Sequence, residues 1–155
     1  MMDPLRAKLT LRFAYQFRYL NQNLYSYSLP QGWRTLFEQL CVEVDAELTD
    51  SEKALFQWQQ IKEKFGELRA YARYGDQIRQ PQPDAAADER PTLIKGIADE
   101  TRQRIAAIVG RVGEQSMKTC VFCGAPGELR TTHAWVIPTC TEHIKSSRHD
   151  FPSDV

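Results

Sequence analysis

Apolar positions along this chain fall first at helical and then at strand spacing. Leu5, Leu9, Phe13, Phe17, Leu20 and Leu24 step by three and four, which predicts a helix. Asp3 followed by Pro4 supplies its start, a side-chain cap and a proline at the first helical position. Leu9, Leu11, Phe13, Tyr15 and Phe17 also alternate, so a short strand is the competing reading there. The stretch SYSLPQG, Ser26 to Gly32, reads as a turn closed by Pro30 and Gly32. Trp33, Leu36, Phe37, Leu40, Cys41, Val44 and Leu48 then share one face and predict an amphipathic helix. It stops near Thr49-Asp50-Ser51, which also caps whatever follows. Cys41, Trp33 and Trp58 read as core side chains.

From Phe56 to Gly75 two periods compete. Trp58, Ile61, Phe65 and Leu68 suit a helix, whereas Phe56 and Trp58, then Leu68, Ala70 and Ala72, alternate on either side of KEKFGE. The second pattern is favoured and predicts a hairpin with a longer loop at Gly66. Pro81, Pro83 and Pro91 with the small residues between them mark a linker. Beyond it Ile94, Ile97, Thr101, Ile105, Ile108 and Val112 predict the strongest helix, ending around Gly113. The organisation expected is a mixed N-terminal region over 1–78, a linker over 79–91, and a long helix plus C-terminal module over 92–155. The fold class expected is α+β, mainly α, with a small β element. No internal repeat is apparent.

The chain carries 20 basic and 20 acidic side chains. From Ser116 onward Lys118, Arg130, Lys145 and Arg148 balance Glu128, Glu142, Asp150 and Asp154. A protein gripping a phosphate backbone shows a basic excess or a basic face, so the balance argues against nucleic acid. The start, MMDPLRAKLT, lacks the long apolar core of a secretory signal, and no apolar run is long enough to span a membrane. The cytoplasm is the expected compartment, where paired cysteines serve as metal ligands more often than as disulfides.

Such a pair begins at Cys120. Cys120 and Cys123 form C-x-x-C, followed by Gly124 and Gly127. Two thiolates at this spacing grip one ion only if the backbone turns sharply, and glycine after the second cysteine permits that turn. After sixteen intervening residues TCTEHI supplies Cys140 and His143. The resulting Cys3His set suits a tetrahedral structural Zn2+ in a ribbon, knuckle or treble-clef module. His143 has the better spacing for the fourth ligand, with His133 and His149 as alternatives. Leu129, Thr131, His133, Trp135 and Ile137 alternate between the pairs and read as strand material. Glu142 adjoins the set, but no H-E-x-x-H is present. No glycine-rich phosphate loop and no G-x-S-x-G occurs either. The expectation is therefore a protein that is not an enzyme.

The segments GWRTLFEQL, QIKEKFGELRAYAR, TCVFCGAPGELR and PTCTEHI together resemble a family of small bacterial proteins of uncharacterised function. The resemblance runs from Gly32 to His143 and rests on the GW…L helix, the KEKFG-LR-Y segment and the CxxCG…CxxH module. Such proteins are similar in size and composition to immunity partners encoded beside secreted bacterial toxins. What this implies is a cytoplasmic immunity protein that neutralises a toxin effector by occluding its active site. A zinc-knuckle regulator associated with nucleic acid is the alternative, and a metal-dependent enzyme the third reading. Lys62, Lys64, Arg69, Tyr71 and Arg73 are the candidate partner surface, since Arg and Tyr are favoured in protein interfaces. The bland reading of the same residues is a solvated turn.

Overall fold

A computed structural model describes residues 2–75, 96–132, 134–147 and 150. The linker expected over 79–91, Ile94, His133 and His149 lie outside the described residues. The fold is mixed α+β and mainly helical, with two separate two-stranded sheets.

Helix α1 spans Pro4–Arg12, and the Asp3 carboxylate accepts from the Arg6 amide at 3.3 Å, the cap read from sequence. The single helix expected as far as Leu24 is instead two. The backbone breaks at Phe13 (φ −129°, ψ 53°) and α2 resumes over Ala14–Gln22. The bend lets Leu9, Phe13, Phe17 and Leu20 all enter the core. It also lets the buried Arg6 guanidinium donate to the Leu20 carbonyl near the end of α2, which also accepts from the Asn23 amide. Tertiary packing has overridden a continuous period. Leu24 leaves the helical stripe in a 3-10 turn, Leu24–Ser26, and is 65% exposed.

Helix α3 spans Arg34–Glu47 and buries Phe37, Leu40, Cys41 and Val44, as its periodicity predicts. Cys41 is a core thiol; burial pushes its pKa up. Thr49 and Glu52 form a capping box for the short α4, Asp50–Lys53.

Strands β1 (Phe56–Lys64) and β2 (Glu67–Tyr74) pair antiparallel, confirming the hairpin. Its loop is shorter than expected. Lys64 pairs with Glu67, so Phe65 and Gly66 alone make the turn, at φ of 54° and 80°. Two positive φ values twist the turn to match the strands, which is why so short a loop works. Helix α2 covers the face that carries Phe56, Trp58 and Ile61, and Phe37 of α3 packs against Trp58. Phe17 meets Phe37 edge-on at 6.2 Å, and Phe56 meets Trp58 edge-on at 5.1 Å. The buried Gln16 accepts from Trp58 Nε1 and donates to the Cys41 carbonyl, both at 2.9 Å. The Trp58 indole N–H would otherwise be buried without a partner.

Helix α5 spans Asp99–Ser116 and packs on α3 and β2. It runs three residues past Gly113, where it was expected to end. At Gly113 the Glu67 carboxylate lies over the helix, 2.6 Å from where a Cβ would stand. One turn on, Ser116 Oγ accepts from the Leu68 amide at 2.8 Å and caps that end of the β2 edge. The chain then forms strands β3 (Glu128–Thr132) and β4 (Trp135–Thr139), an antiparallel hairpin where sequence suggested one strand run. Val121 and Ile137 join the same core cluster as the helices. Among the described residues no helix is long and apolar enough to cross a membrane.

Candidate metal centre

The loop between α5 and β3 is shaped by backbone hydrogen bonds. The Cys120 amide donates to Ala125 O at 2.8 Å, and the Gly124 amide donates back to Cys120 O at 2.9 Å. Gly124 takes the φ of +80° that its place after the second cysteine calls for. Val121 N–H reaches Pro138 O on β4 at 3.0 Å, tying this knuckle to the second hairpin. Cys140 follows β4 directly, and the 3-10 turn Thr141–His143 brings the histidine back over it.

The result is a cluster of Cys120, Cys123, Cys140 and His143 whose ligand atoms all lie within 4.8 Å of one another. Cys123 Sγ is 3.7 Å from Cys140 Sγ; His143 Nδ1 is 3.5 Å from Cys120 Sγ and 3.3 Å from Cys140 Sγ. Around a tetrahedral ion with metal–sulfur bonds of about 2.3 Å and metal–nitrogen bonds of about 2.0 Å, such atoms lie about 3.5 to 3.8 Å apart. The donor set and its spacing therefore fit a metal site of zinc-knuckle type. His143 is the histidine that sequence spacing favoured.

The electrostatics of the three thiols differ. At Cys120 burial pushes the pKa up, but the amides around it outweigh burial and the net shift is downward. At Cys140 burial again pushes up, while His143 draws the pKa down and prevails. At Cys123 the Ala125 amide pulls down, yet burial and the two neighbouring sulfurs leave the net shift upward. Two of the three thiols are thus disposed to ionise, which is the form a metal takes. The Phe122 ring lies 5.2 Å from the His143 ring and backs it.

The knuckle also locks onto the helical body, which sequence reasoning missed. The Gly32 amide donates to Val121 O at 2.8 Å, and Trp33 Nε1 donates to Thr119 O at 2.9 Å. A Cβ on Gly32 would fall 2.0 Å from the Cys120 carbonyl oxygen. From sequence Gly32 reads as the close of a turn and as part of the GW…L segment, with no sign of the contact to Cys120. The tip of the β1–β2 hairpin, at Gly66, packs on Leu129 and Val136 of the second hairpin.

Of the candidate partner residues, Lys62 and Lys64 lie on β1 and Arg69, Tyr71 and Arg73 on β2. They share the outer face of the hairpin, away from the buried Trp58, Ile61 and Leu68. None belongs to the metal cluster. Comparison of the chain with protein-family models, curated proteins and solved structures finds no match. Of the resemblance drawn from sequence, the part that the structure supports is the C-terminal Cys3His module.

Proposed function

We propose that Cys120, Cys123, Cys140 and His143 hold one structural zinc ion, and that the protein acts by binding. In this reading it is a cytoplasmic immunity protein that occludes the active site or substrate path of a bacterial toxin effector. The observation that carries the proposal is the closed ligand set. Four protein side chains converge at tetrahedral spacing, so zinc bound there has no position left for a substrate or an activated water. When bound, zinc supplies a fixed cross-link between the knuckle and the turn after β4. The chain's own residues do the rest. Cys120 and Val121 carry the backbone that seats Gly32 and Trp33, and β3–β4 supports the tip of the first hairpin.

Two measurements test the proposal. Purified protein contains close to one equivalent of zinc, and Cys123→Ser drops this below about half. Zinc content that ignores the substitution overturns the metal assignment. The chain, expressed beside the toxin of its source organism, protects cells and co-purifies with that toxin. Normal zinc content with neither protection nor a tight protein partner overturns the immunity reading alone.

A further inference from the structure

Lys62 and Arg69 stand directly opposite each other in the β1–β2 ladder. Like charges at such a pair repel and destabilise the sheet. Where a chain keeps a locally unfavourable arrangement, function is the usual reason. Lys64 and Arg73 lie on the same face, so among the described residues its outward positions hold Lys62, Lys64, Arg69 and Arg73 with Glu67, which pairs with Arg69. The whole chain balances 20 against 20, so this excess is a local feature.

The cations are held in place. Lys62 Nζ lies 5.5 Å from the centre of the Tyr71 ring and Lys64 Nζ 5.4 Å from that of Phe65. Arg73 stacks 5.3 Å over Tyr19 of α2, and Arg69 pairs with Glu67 at 2.7 Å. Long cationic side chains fixed on rings lose less freedom when an anion binds them. Between the two tyrosines is a cavity of about 300 Å³ lined by Tyr19, Ser26, Gln59, Gln60 and Tyr71. It sits where the β1–β2 register shifts between Trp58 and Gln60. Bulges of this kind re-aim side chains beside functional sites. Here the shift sets two amides among phenols and cations. Phe65 is 71% exposed and Tyr71 42% exposed, so the patch also offers aromatic area.

We infer that this outer face, centred on Lys62, Arg69 and Tyr71, is the docking surface for an acidic protein partner. Glu67 already pairs with Arg69, so a partner carboxylate completes the neutralisation at Lys62, and the cavity at the shifted register receives an adjoining polar side chain. The inference rests on the binding-protein reading above and names the chemistry of its partner. Charge complementarity selects an acidic surface. The balance of 20 basic against 20 acidic side chains over the whole chain gives no general attraction for a phosphate backbone, so the cations of this one face select a protein surface that carries carboxylates.

The test uses the full zinc-loaded chain in its source cells, with Gln59 replaced by the photoreactive p-benzoylphenylalanine. A second version carries the same group at Gln103, on an exposed part of α5. On irradiation the Gln59 version forms an adduct with a protein whose cross-linked peptide is rich in Asp and Glu. The Gln103 version does not. Adding Lys62→Glu and Arg73→Glu lowers the Gln59 adduct at least tenfold, with zinc content and far-ultraviolet circular dichroism unchanged. An adduct at Gln103 alone, or no adduct at either position while the chain still co-purifies with a partner, overturns this surface and leaves the binding reading standing; no adduct and no co-purifying partner overturns both. A nuclease-sensitive adduct, or one indifferent to the charge reversal, also overturns the inference.

Discussion

The helical body and the C-terminal module keep their shape by different means. The body buries Phe17, Trp33, Phe37, Phe56 and Trp58 at no more than 2% exposure, and wires Gln16 between two partners. Aromatic area of that size is enough to hold a fold. The module from Cys120 to His143 contributes far less, chiefly Val121 and Ile137. So small an apolar core does not offset the entropy of ordering its chain, and the Cys3His cluster offers a metal cross-link that would supply the difference. One region is held from within; the other, on the proposal above, is held by a cross-link. A short chain can therefore carry a rigid terminal element without enlarging its core.

The largest effect should come from the cross-link. Chelating zinc removes the order of 10 kcal/mol of metal-coupled folding from the module. Amides from Cys120 to Cys140 then lose hydrogen-exchange protection while those of α2 and β1 keep theirs. Unfolding of both regions together would show that the body is no more self-sufficient than the module. Next in size is a cut in the body. Phe37→Ala leaves a hole among Phe17, Tyr27 and Trp58 and costs about 3–5 kcal/mol. Urea denaturation of the zinc-loaded protein measures it; a loss below about 1 kcal/mol would mean that the body tolerates truncation as a loosely packed core does. The smallest effect lies at the seam. Gly32→Ala forces the knuckle away from the turn before α3 and costs about 1–3 kcal/mol. It should also raise the zinc dissociation constant, read by competition with a chromogenic chelator. An unchanged constant would make body and module energetically independent.

The parts legible in the sequence were those in which the chemistry is local. Asp3-Pro4 and Thr49 announce caps because a cap involves neighbours in the chain. Cys120, Cys123, Cys140 and His143 announce a metal cluster because ligand spacing encodes geometry within a few residues. The break at Phe13 was not legible. Nothing in the local spacing of Leu9, Phe13 and Phe17 distinguishes one helix from two; the choice depends on what Arg6 can reach at the end of α2. Gly113 looked like a terminator because the side chain that packs over it, Glu67, lies across the fold. The opposition of Lys62 and Arg69 became visible only once the two-residue turn set the register.

The bond from Trp33 to Thr119 joins residues 86 positions apart. A chain emerging from the ribosome makes α1, α2, α3 and the first hairpin well before Thr119 and the cysteines appear. Until then the Trp33 indole and the Gly32 amide lack the carbonyls that receive them. Closure of the Cys3His cluster therefore comes after the helical body and first hairpin have been made, since Cys140 and His143 follow them in the chain. A chain halted before Thr119 would leave the Trp33 indole N–H without the carbonyl that receives it.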